Sequence, residues 1–373
     1  MQTPVRGAFR DSTDWKHNAF ARAFPIPDTL SVRAAGVDIS DSSVKWLSLK
    51  EAPTGWEINA FAQVPIESGL VEGGIVRDAE RLADALKKLK EQVEDDVYVH
   101  AALPEEVAYV FSMHVSSIDD FSQVRNLIEF ELEGRVPLTL DNAVFDYDIV
   151  ERHSDGNAEI GVTVFPRDVV EGYEKAFHLA GLELVSLEIE ARSIARAIVP
   201  RSTKGVALIA DFGRARTGIA IIKSGVPIFT STVSVGGDAM TQVIMEKMKV
   251  DEEKAEEIKN EFGIAPGKDQ KVSEAVSGTA GALADEITRH YQYWDAKRDE
   301  HGERSTPVRQ VLLCGGSSNL KGLPEYIAGR VHDRTQRANV WVNVCDFDTY
   351  IPPITKNHSL GYATAIGLAL RSV

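Results

Sequence analysis

One unit occurs twice in this chain of 373 residues: a short apolar strand that ends in an aspartate and continues into a polar turn. Residues 34–37 lead into Asp38, residues 206–210 lead into Asp211, and a second strand-like run follows each unit. Two such units that face each other across a cleft can hold the phosphates of a nucleotide, because backbone N–H groups in tight turns bind anions. Their carboxylates suit a hydrated Mg²⁺, which takes few protein ligands and keeps several waters. The repeat therefore predicts an α/β chain of two similar halves.

Charge and cysteine content narrow the class of protein. With 41 Lys+Arg against 56 Asp+Glu the formal net charge is −15, which argues against a nucleic-acid partner because phosphate binding needs a basic face. The two cysteines, Cys314 and Cys345, form neither a CxxC pair nor a disulfide framework, which is typical of a reduced, cytosolic protein. No apolar stretch reaches the roughly 18 residues that a membrane span needs, and the N-terminus lacks an apolar signal core. We therefore predict a cytoplasmic chain without a membrane span of its own.

Apolar spacing predicts the helices between the strands. The helix that begins at Asp78 keeps the helical period, and Asp78 is its expected cap. Further helices are predicted at 121–134, 168–181, 238–248, 251–262, 273–294 and 360–370. In the first 33 residues, Ser12-Thr13-Asp14 are expected to cap a short helix if the segment is a docked arm; a poorly ordered tail is the alternative.

A third element combines a strand with two glycines. The strand that ends at Cys314 enters a predicted helix through Gly315 and Gly316. Glycine lets the backbone approach a ligand closely, and a helix N-terminus favours negative charge. Lys45, on the strand after Asp38, suits a phosphate oxygen as a point charge; a solvated strand residue is the rival interpretation. Together, in this order, the three elements predict a nucleotide site.

At these residues the chain resembles the ATPase fold of actin, the heat-shock chaperones and the sugar kinases, and more closely the PilM family of type IV pilus assembly proteins. The resemblance runs from Ala34 to the end of the chain. The matching segments are 37–45 (first phosphate motif), 211–213 (second), 190–192 (connecting motif), 236–241 with 255–259 (ribose and base side), 315–316 (adenosine motif), 361–370 (closing helix), and 136–138 with 146–147 (inserted subdomain).

The resemblance implies an actin-like ATPase fold, with two similar halves around a nucleotide cleft and a small inserted subdomain. The implied divisions are an N-terminal extension (1–33), subdomain 1A (34–103), inserted subdomain 1C (104–181), a return to 1A (182–203), 2A (204–235), 2B (236–304), a return to 2A (305–354) and the closing helix of 1A (355–373). It also implies the cofactors ATP and Mg²⁺.

The resemblance implies a set of site residues as well. The nucleotide-binding residues are Asp38, Ser42, Ser43, Lys45, Asp211, Gly213, Gly236, Gly237, Glu256, Lys259, Gly315, Gly316 and Ser317. Asp38 and Asp211 are the expected Mg²⁺ carboxylates, and Glu190 is the expected catalytic residue that orients the attacking water. Plainer alternatives stay open: a surface carboxylate for Glu190, and a surface ion pair for Glu256 and Lys259.

Two departures from the family pattern bear on the strength of nucleotide binding. Ser40 stands where the family usually has glycine, which costs about 1 kcal/mol if the position needs a positive φ. Asp41 adds a carboxylate that should repel phosphates, and Arg214 and Arg216 are placed to offset its charge. We therefore expect nucleotide binding that is weak or slow to turn over.

The function that the resemblance implies is a cytoplasmic scaffold of pilus assembly. Its partner would be the N-terminal cytoplasmic segment of a PilN-like inner-membrane protein, which holds the chain peripherally at that membrane; a homo-oligomer is also possible. The alternatives are an FtsA-like cytoskeletal polymer, the cytoplasmic domain of a GspL-like secretion protein, and a small-molecule kinase. The first normally has a C-terminal amphipathic helix and the second continues into a membrane span, and neither is expected in this chain.

Overall fold

The computed structural model describes residues 33–93, 97–154, 156–203, 205–265, 269–298 and 304–372. The predicted N-terminal extension, with its cap at residues 12–14, lies outside this part apart from Arg33. The strands are β1 (Ala35–Ile39), β2 (Ser43–Ala52), β3 (Gly55–Pro65), β4 (Val71–Glu72), β5 (Ile75–Val76), β6 (Tyr98–Leu103), β7 (Tyr109–Val115), β8 (Ala143–Arg152), β9 (Ala158–Pro166), β10 (Glu183–Ile189), β11 (Val206–Phe212), β12 (Thr217–Lys223), β13 (Val226–Val233), β14 (Val308–Cys314) and β15 (Thr335–Arg337). The helices are α1 (Ala79–Lys90), α2 (Phe121–Arg135), α3 (Arg167–Leu179), α4 (Glu190–Ile198), α5 (Gly237–Met248), α6 (Glu252–Phe262), α7 (Gln270–Ala296), α8 (Leu323–Val331), α9 (Lys356–Ser359) and α10 (Ala363–Ala369).

Two five-stranded sheets share one plan. The strand order is β3-β2-β1-β6-β10 in the first sheet and β13-β12-β11-β14-β15 in the second. In each, the first three strands are antiparallel and the last three are parallel. The duplication predicted from the two aspartate-ended strands is therefore confirmed as two matching sheets, with Asp38 in β1 and Asp211 in β11.

Two helices lie between the sheets and fill the space where the halves meet. Helices α4 and α10 share one core with the inner faces of both sheets, including Leu47 of β2 and Ile209 of β11. The helices cross so closely that a Cβ on Gly367 would lie 1.8 Å from the backbone oxygen of Ser193. A glycine in α10 is thus a requirement of the packing at this crossing.

A smaller unit, which we call the insert, consists of β7, α2, β8 and β9. Its three strands form a sheet of order β7-β9-β8 with its own core under α2. The insert packs against the β12–β13 hairpin of the second half, where a Cβ on Gly161 would lie 2.7 Å from Cγ1 of Val226. Lys223 at the end of β12 pairs with Glu151 and Glu159 of the insert, at 2.7 Å each.

A buried polar network ties the end of the chain to the first sheet. Arg196 donates to both carboxylate oxygens of Glu188, at 2.6 and 2.8 Å, and Arg371 donates to the same group. Burial alone would raise the pKa of Glu188, but the neighbouring arginines hold this pKa at about 2. Beside it, the ring nitrogens of His100 make 2.7 Å hydrogen bonds to the hydroxyls of Ser186 and Ser372.

The stability of the protein should depend on pH through His100. Burial, with Arg371 nearby, lowers the pKa of His100 from 6.5 to about 4. Between these values the unfolded chain binds more protons, so this contribution to stability is complete above pH 6.5 and is lost as the pH falls to 4. The loss amounts to about 3 kcal/mol. Urea denaturation of wild type, His100→Asn and the exposed control His178→Asn at pH 7 and pH 4.5 measures it. Wild type and the control should lose more stability than His100→Asn, and equal losses in all three would contradict the assignment.

Among the helices described, none is long and apolar enough to cross a membrane.

Candidate functional site

A cavity of about 1110 Å³ opens between the two sheets and brings the two repeated units together. Asp38 and Asp211 both line it, from opposite halves of the molecule. Of the other sequence-predicted residues, these also line the cavity: Ser42, Ser43, Lys45, Glu190, Gly213, Gly315 and Gly316. The strands that carry both aspartates end at this cavity, so the repeat in the sequence corresponds to a pair of facing walls.

We call the side of the cavity formed by β1 and β2 the first wall, and the side formed by β11 and β12 the second wall. On the first wall, the antiparallel register pairs an acid with a base. Asp38 lies opposite Lys45 in the β1–β2 ladder, and Nζ of Lys45 donates to Oδ2 of Asp38 at 2.9 Å. Burial acts to lower the pKa of Lys45, but Asp38 outweighs it and the pKa is raised. Lys45 is therefore a charged, largely buried ammonium inside the cavity, and the solvated alternative is wrong.

The turn after β1 is closed by serine side chains. The N–H of Ser40 donates to the carbonyl of Ser43 at 2.9 Å, and the Oγ of Ser40 accepts from the N–H of Ser43 at 3.2 Å. Ser40 does not have a positive φ. Ser40 therefore does not carry the energetic cost of a positive φ. Its side chain also makes a hydrogen bond that a glycine could not make.

On the second wall, a glycine replaces the lysine. Gly218 lies opposite Asp211 in the β11–β12 ladder, as Lys45 lies opposite Asp38 in the first. Oε2 of Glu105 occupies the space over Gly218, 3.0 Å from where a Cβ would be. Thr232, the next residue across the sheet, has a buried Oγ1 without a hydrogen-bond partner among the described residues. On the second wall, the carboxyl group of Glu105 therefore lies near Asp211, at the position where the first wall has the ammonium group of Lys45.

The buried acids raise each other's pKa. Burial, followed by the charge of Asp38, raises the pKa of Asp211 to about 6. Burial raises the pKa of Glu105 to about 7, and burial with Glu105, Asp38 and Asp211 raises that of Glu190 well above its usual range. Glu190 is the first residue of α4 and is no surface carboxylate. The cavity floor therefore holds more negative charge than Lys45 neutralises, which is the condition that a bound cation relieves.

The two glycines that follow β14, Gly315 and Gly316, lie next to the second wall. Gly315 has φ +82°, and a Cβ there would lie 2.4 Å from Oδ1 of Asp211. Only glycine combines this conformation with this approach. The preceding residue, Cys314, is buried beside Asp211, and burial raises the pKa of its thiol.

A salt bridge crosses the mouth of the cavity. Arg216 of the second half donates to both carboxylate oxygens of Asp41, at 2.6 and 3.1 Å, and its Nε is 2.8 Å from Oε2 of Glu106. Asp41 is therefore offset by Arg216 as expected. Arg214 instead pairs with Asp238 and Glu252, at 2.9 and 2.8 Å.

The remaining predicted residues lie behind the second wall. Ser317 donates to the carbonyl of Gly213 at 2.9 Å, and the N–H of Gly237 donates to the same carbonyl at 3.0 Å. Lys259 is buried and donates to Gly237 and Thr241, at 3.3 and 2.7 Å, and to Glu256. These three acceptors use the three donors of an ammonium. Gly236, Gly237, Glu256, Lys259 and Ser317 do not line the cavity, and their contact with ribose or base stays a prediction.

Sequence reasoning missed Glu105 and Glu106. They follow β6, which runs parallel to β1, and the carboxyl ends of parallel strands meet at the same edge of a sheet. The adjacency of β1 and β6 was the signal that would have placed these acids beside Asp38.

The residues present fit a magnesium-bound nucleotide. Carboxylate oxygens of Asp38 and Asp211 are the hard ligands or water acceptors that Mg²⁺ prefers. The glycine approach at Gly315 and the ammonium of Lys45 suit a phosphate chain.

Comparison with known proteins agrees with this architecture. A family model described as type IV pilus assembly protein PilM matches residues 36–373. Among solved structures, the chain is similar to the PilM-PilN type IV pilus biogenesis complex, with a TM-score of 0.72 and 22% identity over 92% of this chain and 99% of that one. It is also similar to MreB 5 of Spiroplasma citri bound to AMPPNP, with a TM-score of 0.52 and 13% identity over 91% and 96% of the two chains. Both likenesses show the actin-like fold.

A curated relative of the same fold class is the cell division protein FtsA of Streptococcus pneumoniae. It is 25% identical over 330 residues, which is 78% of this chain and 72% of that protein.

Proposed function

Because the chain belongs to the family of the type IV pilus assembly protein PilM, we propose that it is an ATP-binding cytoplasmic scaffold of type IV pilus assembly. The observation that carries the nucleotide part is the placement of Asp38 and Asp211 on opposite walls of one cavity. In the proposed complex, these carboxylates hold the water shell of Mg²⁺, and Lys45 contacts phosphate. When bound, Mg²⁺ supplies the charge neutralisation that the crowded acids lack.

The rest of the cleft completes the proposed nucleotide site. Ser42, Ser43 and the backbones of Gly213 and Gly315 face the phosphates from the two walls. Glu190 lies among them at the start of α4. There its carboxyl group would orient an attacking water molecule or accept a proton from it. Its crowded, protonation-prone carboxyl favours slow turnover, because a general base must be ionised to act.

The proposed partner is the N-terminal cytoplasmic segment of a PilN-like inner-membrane protein. The insert and the first sheet each end in an edge strand, β8 and β10. Edge strands offer unpaired backbone groups to an extended peptide. Arg192 of α4, the helix that directly follows β10, donates to Asp148 of β8 at 3.0 Å, so the two elements lie near each other. A peptide bound at this junction would hold the protein at the membrane through its partner.

The partner assignment is tested by fluorescence anisotropy with a labelled peptide of the PilN-like N-terminal segment. Wild type should bind the peptide and not a scrambled version. Asp146→Arg, at an exposed position of β8, should weaken binding at least ~10-fold, because it replaces an acid by a bulky base at the proposed junction. Glu133→Arg, an equal charge change on the exposed side of α2, should bind as wild type. Absence of binding to wild type, with or without Mg·ATP, would defeat the partner assignment.

A further inference from the structure

The contact between Asp41 and Arg216 joins the two loops that carry the repeated phosphate motifs. Asp41 lies in the turn between β1 and β2, and Arg216 directly precedes β12 of the other half. Both side chains line the cavity at its mouth. The pairing is bidentate, so two guanidinium nitrogens of Arg216 are used by Asp41. An acid of the first loop therefore pairs with the cation of the second.

A bidentate carboxylate presents to a guanidinium the same pair of oxygens that a phosphate group presents. Glu106 holds Nε of the same guanidinium from the side, so the direction of Arg216 does not depend on Asp41 alone. The other oxygen of Glu106, Oε1, is buried with no hydrogen-bond partner among the described residues. Glu106 thus keeps one unused acceptor oxygen next to its contact with Arg216.

We propose that Asp41 is a built-in substitute for the terminal phosphate of the nucleotide, and that a nucleoside triphosphate displaces it from Arg216 whereas a diphosphate leaves the pair closed. This inference rests on the proposed function, since it assigns a selection step to the same cleft. It makes Arg216 a phosphate-binding residue and Asp41 the residue that determines selectivity between the two nucleotides.

The physical basis of selection is competition for one cation. A terminal phosphate carries more negative charge than a carboxylate, so it can take the guanidinium from Asp41. In the proposed arrangement a diphosphate would end short of the pair. The side chains of Arg216 and Asp41 are 25% and 30% exposed, so water can solvate the released carboxylate. Because the triphosphate must break an existing pair, its affinity is reduced by Asp41 while that of the diphosphate is not.

Arg214 offers a matched comparison on the same hairpin. It is held by Asp238 and Glu252, both from its own half, so its ion pairs do not cross the cleft. Removing the charge of Glu252 changes the net charge by the same amount as removing that of Asp41, without freeing Arg216.

The test is titration calorimetry with Mg·AMPPNP and Mg·ADP. Asp41→Asn should bind Mg·AMPPNP about 10-fold more tightly than wild type, and Mg·ADP within about twofold of wild type. Glu252→Gln should change neither affinity by more than about twofold, and thermal melting should show that both variants fold. In the double variant Asp41→Asn/Arg216→Gln the gain for Mg·AMPPNP should vanish, which identifies Arg216 as the group released.

The possible results distinguish a failure of the proposed selection step from a failure of the proposed nucleotide site. If Asp41→Asn tightens both nucleotides equally, or neither, while wild type still binds nucleotide, the selection step is wrong and the nucleotide site stands. If wild type and all variants bind neither nucleotide, the nucleotide site is wrong and the selection step with it.

Discussion

Replacing Gly367 by valine is expected to leave little folded protein. A Cβ at this position would lie 1.8 Å from the carbonyl oxygen of Ser193 and 2.4 Å from its carbon. These are backbone atoms of α4, which cannot withdraw because both sheets pack on the two crossing helices. Overpacking of a close-packed core costs about 1–3 kcal/mol, and a clash with backbone exceeds that range. Since the crossing joins the halves, both halves should lose stability together.

Thermal melting and soluble yield measure this effect. Gly329→Ala in α8 is the matched control, because a Cβ there meets nothing within 4 Å. Alanine at an unstrained helical glycine should raise stability by about 0.5–1 kcal/mol. A Gly367→Val protein that melts within a few degrees of wild type would show that the helices are not packed as described.

Asp211→Asn is expected to abolish nucleotide binding and to stabilise the empty protein. Loss of one of two carboxylates around Mg²⁺ should weaken Mg·ATP binding at least ~100-fold. Without a bound cation the ionised form of the same carboxylate is unfavourable, since burial and Asp38 raise its pKa to about 6. The native state then binds more protons than the unfolded state between pH 4 and 6, so stability falls as the pH rises through this window. Asparagine removes the penalty, which we put at about 1 kcal/mol because the side chain faces an open cavity.

Two measurements with opposite signs check the prediction. Calorimetry at pH 7.5 should show lost Mg·ATP binding, while the melting temperature at pH 7.5 should equal or exceed that of wild type, with no such gain at pH 4. Asp285→Asn, at an exposed ion pair with Arg330, should leave binding unchanged. Nucleotide affinity retained in Asp211→Asn would remove this residue from the metal site.

Local patterns predicted the elements whose period is strong. The cap at Asp78 is confirmed, since its carboxylate accepts from the N–H of Arg81 at 3.0 Å, and α1 begins at the next residue. The last helix was predicted as one element over 360–370. The structure has a 3₁₀ turn at Leu360–Tyr362 before α10, and the residues of this turn line the cavity. Strand β13 and helix α8 were missed, since each contains a proline and neither has a regular apolar period.

The site was predictable where its residues follow the repeat, and not where they meet by tertiary contact. Asp38 and Asp211 were found because each ends a strand of the duplicated unit. Glu105 lies over Gly218, which is far away in the sequence, and no local pattern signals that approach. The surface ion pair that was the alternative for Glu256 and Lys259 is wrong for the lysine, because Lys259 of α6 is buried against α5.

The hairpin β12–β13 is held at both ends, and this has a mechanical consequence. At the end near the cleft, Arg216 pairs with Asp41. At the other end, Lys223 pairs with Glu151 and Glu159, and Val226 packs against Gly161. The seven residues of β12 form an extended strand about 20 Å long between these two sets of contacts. Because β12 is also paired along its length with β11, a change in the orientation of the second half relative to the first would carry the insert with it. Nucleotide in the cleft and peptide at the junction of β8 and β10 would then affect each other through the position of this hairpin.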